Sequence, residues 1–197
     1  MTNDLYQTAL RRLNDLLAEG LNRGLEEANA GALATADSKA RPSVRMVNIL
    51  AIETEGLLFF VNRNTGKSQQ LQENPRASLC FFWPLLREQV IVEGTIKPED
   101  KAVSDRYWKK MSREKQVYTY VTAQLPPSQR RGTLREKVNE QWPNSGFAPI
   151  SRPADWQAFR LLPDKIEFWP SGWRRAQERV LYTQSEEGEW CRKLVNP

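Results

Sequence analysis

Residues 31 to 62, GALATADSKARPSVRMVNILAIETEGLLFFVN, constrain the fold more than any other stretch. The period of apolar residues there is that of strands, and it is interrupted only by short turn signals. The spacing predicts a strand at 32–36, a turn over Asp37 to Ala40, a strand from Pro42 to Glu53, a turn at Glu55 and Gly56, and a strand at 57–62. Parallel neighbours need crossovers of a dozen or more residues, so links this short impose an antiparallel meander.

The rest of the chain extends that pattern. Residues 4–27 read as an amphipathic helix with Leu10, Leu13, Leu17 and Leu21 on one face and Asp15, Glu19 and Arg23 elsewhere, within an N-terminal helical segment of residues 1–28. A short polar helix is expected at 65–73, stopped by Asn74-Pro75. Strands follow at 77–83 and 88–99 around a turn at Pro84. A charged helix over 99–115 would bury Val103, Tyr107 and Met111. Residues 122–151 are the least periodic part, readable as a long loop or an inter-subunit segment, with a short helix at 133–141. WQAFRLLPDKIEFWP and ERVLYTQSEEGEWCRKLVNP then supply closing strands. Without repeats or flexible linkers, residues 1–197 read as one domain. It is mainly β with helices, its six or seven antiparallel strands closing into a small barrel that leaves no edges. Such a barrel fills its centre with side chains, so a ligand must lie outside it or between subunits.

Composition narrows the chemistry. A net charge of +5 is too small and too dispersed to imply a polyanion, and no apolar run is long enough to span a membrane, so nucleic acid and membrane are not expected partners and the cytoplasm is the expected location. Cys80 and Cys191 stand too far apart for a paired-cysteine metal motif. The chain contains no histidine. Zinc sites and serine or cysteine hydrolases lean on imidazole, so these classes fall away and no metal is expected. An organic cofactor that carries the reacting atoms removes the need.

Four places could carry chemistry. Arg45 shares a strand face with Val47 and Ile49, and a cation there is either an internal ion pair, a rim position or an anion clamp. Lys67 follows a glycine at the start of a helix, where backbone N–H groups and an ammonium suit a phosphate, although a surface lysine would look the same. Gln89 opens an apolar strand, able to meet a heteroaromatic edge or to pair locally. Trp169 and Trp173, followed by Arg174, Arg175 and Arg179, are either core or an aromatic floor with cationic arms, suited to a planar phosphorylated ligand or to single-stranded nucleic acid.

ALATADSKARPSVRMVNIL, GLLFFVNRNTGKSQQLQENPRASLCFFW, REQVIVEG, IEFWPSGWRRAQERVLY and EWCRKLVNP occur in the order and spacing of the pyridoxamine 5'-phosphate oxidase family, which the chain resembles from about residue 30 to its end. The resemblance implies an FMN-binding split barrel and a homodimer with FMN between subunits. Its flavin contacts fall on Arg45, Met46, Val47, Asn48 and Leu50, on Phe60 and Val61 in place of tyrosine and threonine, and on Gly66 and Lys67, where an arginine is lost. They continue at Gln89, at Gln124 from the second subunit, where Leu125 replaces a serine, and at Trp169 and Arg179. The substrate side departs further. The family's substrate lysine falls on Leu50, its phosphate arginine on Met111 and its serine on Lys115. Tyr107 matches, and Arg113 or Lys115 could supply a displaced charge. The closing arginine is Arg175, but the histidine two residues on is Gln177.

The expectation is therefore an FMN-dependent oxidase that moves a hydride from a small, anionic substrate to FMN and on to oxygen. Its specificity would be shifted away from pyridoxamine and pyridoxine 5'-phosphate. No catalytic side chain is identifiable. The alternative is a non-catalytic flavin- or tetrapyrrole-binding protein on the same barrel.

Overall fold

The computed structural model describes residues 2–63, 66–125, 130–144, 149–170 and 179–195. In chain order they form α1 (Thr2–Asn22), β1 (Ala30–Ala36), β2 (Pro42–Glu53), β3 (Gly56–Asn62), α2 (Gly66–Glu73), β4 (Arg76–Trp83), β5 (Glu88–Pro98), α3 (Lys101–Lys110), α4 (Arg113–Gln124), α5 (Arg130–Asn144), β6 (Trp156–Pro170), β7 (Val180–Gln184) and β8 (Trp190–Leu194). The chain divides into two compact units, one of Met1–Phe60, Gly66–Lys97 and Phe159–Pro197, the other of Val61–Thr65 and Pro98–Ala158.

The first unit is built on the expected meander. The strands run in the order β3-β2-β1-β4-β5-β6-β7-β8, and an added β3–β6 pairing closes the first six into a barrel, which β7 and β8 extend as a hairpin. The barrel is filled, as its size requires, by Leu33, Leu57, Phe59, Leu79, Phe81, Val90, Leu161 and Ile166, none of them accessible to solvent. Closure depends on two glycines. A Cβ on Gly94 of β5 would stand 2.0 Å from the Leu162 carbonyl oxygen, and one on Gly56 of β3, where φ is +138°, would stand 2.2 Å from that of Leu161. Backbone from both flanking strands thus touches β6 at the same bend, where Pro163 interrupts the run of donors.

The N-terminal helix is shorter than its apolar pattern suggests. It ends at Asn22, and Gly24 turns the chain at φ +85°. Ala9, Leu10 and Leu13 are buried as expected, but Leu21, in the last turn, is exposed. The helix is pinned at its outer turns instead. Tyr6 stacks on Trp190 at 4.8 Å, the Arg12 guanidinium lies 4.3 Å from the centre of the Phe168 ring, and the Gln7 side-chain amide donates to the Thr54 carbonyl at 3.0 Å.

The second unit corrects the reading of residues 99–151. The helix expected over 99–115 is two helices, broken at Met111, whose extended backbone (ψ 141°) precedes Ser112, the N-cap of α4. The side chain of Ser112 accepts from the Lys115 backbone N–H at 3.4 Å. A serine with a glutamate two residues later is an ordinary helix-start signal, and here it outweighs the continuous charge pattern. The buried stripe of α3 is correspondingly Ser104 and Trp108, one position on from Val103, Tyr107 and Met111, which are half-buried. Trp108 donates its indole N–H to the Ile150 carbonyl at 2.7 Å and meets Trp156 edge-on. The stretch thought aperiodic is largely helical: α4 reaches Gln124, and α5 packs Leu134 and Val138 on Val117, Val121 and Leu125.

Two outcomes follow for stability. Gly94→Ala should cost about 3 kcal/mol, the upper range for forced overpacking, because backbone rather than a flexible side chain must yield; a urea midpoint equal to the parent's would show that β6 can retreat. Burial, reinforced by the Glu55 charge and opposed by Arg160, raises the Tyr6 phenol to about 12. The folded chain therefore holds that proton while an unfolded tyrosine, with a pKa near 10, releases it. This contribution is complete below about pH 10 and is lost as the pH rises toward 12, so alkaline destabilisation should be shallower in Tyr6→Phe when melting is followed from pH 8 to 12.

Candidate functional site

Strand alternation splits the 45–50 segment. Ser43, Arg45, Val47 and Ile49 lie on the inward face of β2, whereas Val44, Met46, Asn48 and Leu50 lie outward and exposed. Side chains from this run therefore address two different places. Leu50 sits where the β2–β3 register shifts between Ile49 and Ala51, a bulge that re-aims a side chain at a barrel rim.

The outward face is continuous and apolar. Cross-strand register aligns Met46, Ala32, Cys80 and Ile91 in one row across β2, β1, β4 and β5, and Val44, Ala34, Ser78 and Glu93 in the next. Gln89 lies on this face opposite Phe82. Val44, Met46 and Phe82 are 69, 62 and 57% exposed, an unusual concentration for a surface left in water. Alanine at 30, 32, 34 and 36 keeps the middle of the face flat enough for another molecule to approach. Burial raises the Cys80 thiol above its ordinary value, with the Glu167 charge adding to the effect, so it stays a protonated thiol near neutral pH.

On the inward side Arg45 is half-buried. Its Nη1 donates to the Thr35 hydroxyl at 2.6 Å and to the Leu33 carbonyl at 3.3 Å, and its Nη2 to the Gln70 side-chain oxygen at 3.2 Å. All three acceptors are neutral, and among the described residues no carboxylate pairs with it. The internal ion pair is thus not what Arg45 makes, and burial lowers its pKa with no opposing charge to restore it. An uncompensated, desolvated guanidinium at a barrel rim suits an incoming anion. The same rim receives α2, whose first turn contains Gly66 and Lys67. Ser68 in that turn is 1% exposed, and its hydroxyl has no partner among the described residues. An orphaned buried hydroxyl beside helix N–H groups fits phosphate oxygens, and a Cβ on Gly66 would meet nothing within 4 Å, so the lost arginine leaves open space.

Trp169 and Arg179 come together as the sequence pattern implied. The Arg179 guanidinium lies 5.0 Å from the Trp169 ring centre, and its Nε and Nη2 both reach a Glu167 carboxylate oxygen at 2.7 Å. Phe60 is half-buried on β3 and Val61 is in the core, so Val61 can offer only backbone. Within the second unit, Tyr107 carries Arg106 and Lys110 over its ring at 5.3 and 5.6 Å. These flanking cations were not singled out from sequence, although the i+3 spacing of Lys110 is one that brings side chains together on a helix. Arg113 and Lys115 belong to the next helix rather than to Tyr107's, and Gln124 is exposed at its end. Trp173, Arg174, Arg175 and Gln177 lie outside the described residues. Thr35, Ser43 and Gln70 also escaped the sequence reading; the one signal was a polar Thr35 at an inward position of an otherwise apolar strand. Among the described residues no group of three metal-ligating side chains forms, and no helix is long and apolar enough to cross a membrane.

A closed six-stranded antiparallel barrel extended by a hairpin is the split-barrel class. Residues 17–143 match the model of the pyridoxamine 5'-phosphate oxidase family, and residues 156–197 that of the pyridoxine 5'-phosphate oxidase C-terminal dimerisation region. A pyridoxine/pyridoxamine 5'-phosphate oxidase of Anaeromyxobacter dehalogenans is 38% identical over 91% of this chain and 90% of its own length. One of Alkalilimnicola ehrlichii is 37% identical over 98 and 99%. Among solved structures, PhzG of Burkholderia lata 383, in complex with tetrahydrophenazine-1-carboxylic acid, superposes with a TM-score of 0.83 at 25% identity over 95% of this chain and 91% of its own. The chain belongs to the pyridoxamine 5'-phosphate oxidase family and is an FMN-dependent oxidase of that type.

The Arg179–Glu167 pair carries a prediction of its own. Breaking a buried pair generally costs about 3–5 kcal/mol, and since Arg179 is a quarter exposed we expect about 2 kcal/mol for Arg179→Met, read from urea unfolding. A loss below about 0.5 kcal/mol would mean that water replaces the guanidinium at Glu167, as it does for exposed pairs.

Proposed function

We propose that the protein works as a homodimer that holds FMN against its β2-β1-β4-β5 face and oxidises a small, planar, anionic substrate, through a pocket that no longer reads pyridoxine or pyridoxamine 5'-phosphate as its relatives do. The observation that carries the cofactor assignment is Arg45, a half-buried cation whose hydrogen-bond acceptors among the described residues are all neutral. With Lys67, Ser68 and the first N–H groups of α2 it would take the FMN phosphate. Asn48 and Gln89 on the outward face, and Trp169 with Arg179, would hold the remainder. A second copy would cover Val44, Met46 and Phe82 and contribute Gln124, which supports a cofactor site shared between subunits.

When bound, FMN would supply the hydride acceptor and the route for electrons to oxygen. The chain's own groups position the donor carbon and exclude water from it. A neutral amine on that carbon provides its own lone pair as the hydride leaves, so the reaction asks for no side-chain base and tolerates a chain without histidine. The anionic end would meet Tyr107 with its flanking cations, Arg113 and Lys115. Leu50 and Gln177 stand where a lysine and a histidine would bind the phosphorylated substrate. The ring carboxylic acid held by the Burkholderia lata protein is an anion that needs fewer charged contacts than a phosphate, and a ligand of that chemistry suits the altered pocket.

Hydrogen bonds to charged groups are worth about 1.5–3 kcal/mol each, tenfold or more in kcat/KM per lost contact. FMN-loaded protein should therefore oxidise pyridoxine and pyridoxamine 5'-phosphate slowly, and a Leu50→Lys, Gln177→His double variant should be at least about 30-fold better in steady-state assays. Vigorous turnover by the parent that the double variant leaves unchanged or lowers would refute the altered specificity.

A further inference from the structure

The cluster behind Arg45 has an internal logic that goes beyond binding an anion. Gln70 stands on α2 one turn after Lys67, Thr35 is a 3% exposed side chain of β1, and Ser43 is on β2. The Thr35 hydroxyl donates to the Gln70 side-chain oxygen at 2.6 Å while accepting from Arg45 Nη1. That oxygen also accepts from Arg45 Nη2, and the Gln70 amide nitrogen donates to the Ser43 hydroxyl at 3.1 Å. The orientation of the amide is settled by these partners, since the flipped form would aim two N–H groups at the guanidinium.

The two acceptors that Arg45 meets are themselves hydrogen-bonded to each other, so they face neighbouring hydrogens, those at the Nη1/Nη2 end of the guanidinium. The Leu33 carbonyl takes the other Nη1 hydrogen. Among the described residues two donors remain without an acceptor, Nε–H and the second Nη2 hydrogen, and they form the parallel fork that fits two oxygens of a phosphate. A carboxylate at position 70 could make the same contacts to Arg45, but it would neutralise the charge and could not donate to Ser43. The amide orients without discharging.

We infer that Gln70 and Thr35 are positioning residues that hold the guanidinium of Arg45 end-on, so that its Nε side edge is presented to the phosphate monoester of the cofactor. This rests on the reading of Arg45 as a phosphate contact, and the test separates the two. Full-length apoprotein is titrated with FMN and with riboflavin, which lacks the phosphate, and the ratio of the two dissociation constants is followed by flavin fluorescence, with thermal melting as a check on folding. Arg45→Leu should collapse the preference for FMN. Gln70→Glu, Gln70→Leu and Thr35→Val should each reduce it tenfold or more while the riboflavin constant stays within about twofold of the parent's, and Thr35→Ser, which keeps the hydroxyl, should retain it.

If Arg45→Leu removes the preference but the Gln70 and Thr35→Val variants keep it, the positioning role is overturned and the phosphate contact stands. If Arg45→Leu itself leaves the preference intact, the phosphate contact is wrong and the inference falls with it. Equal weakening of FMN and riboflavin in the Gln70 variants would mark a merely structural role and would also overturn it.

Discussion

Everything in the first unit depends on β6 being able to lie between β3 and β5. The strand must pass close enough to both for the sheet to close, and the places where it does so carry no side chain: Gly56 on one flank and Gly94 on the other, against the Leu161–Pro163 bend. Closure removes the exposed edges that a six-stranded sheet would otherwise present. It also packs the interior so completely with leucine, phenylalanine and valine that no ligand can enter. The chemistry is thereby driven to the rim and the outer face.

That displacement explains how one strand serves two purposes. Along β2 the inward residues change gradually from polar to apolar, from Ser43 and Arg45 at the rim to Val47 and Ile49 in the core, while the outward residues stay exposed. Arg45 can be half-buried and charged because Thr35, Gln70 and the Leu33 carbonyl accept three of its five hydrogens without cancelling its charge. An ion pair in the same place would be more comfortable in the empty protein and useless to an anionic cofactor. In the reading proposed above, the cost of a cation with no carboxylate partner among the described residues would be relieved by the cofactor phosphate.

Much of the framework was legible in the residues. The limits of β2 agree with the alternation in PSVRMVNILAIE, and α2 ends where Asn74-Pro75 says it must. The helices of the second unit were not legible to the same degree. A charged surface pattern at 99–115 carries no information about a break, which the Ser112 cap settles locally, and of α5 the sequence showed only the part at 133–141, because Leu134 and Val138 gain their packing partners from α4. Arg45, Lys67, Trp169 and Arg179 could be singled out as candidates because charge or aromatic area stands out in a sequence, and Gln89 because an amide opens an apolar strand. Thr35, Ser43 and Gln70 were not, being neutral polar residues of which Gln70 lies 35 and 27 positions from the other two, whose meaning lies only in the hydrogen bonds that join them to one another and to Arg45.

The sequence by itself determined the antiparallel meander, the filled barrel and the exclusion of imidazole chemistry, because period, link length and composition act locally and need no partner. The tertiary structure decided which side of β2 each residue faces, which neutral groups accept from Arg45, and that Val44, Met46 and Phe82 share one exposed face. Those are properties of register and closure, set by strands far apart in the chain, and no local pattern encodes them.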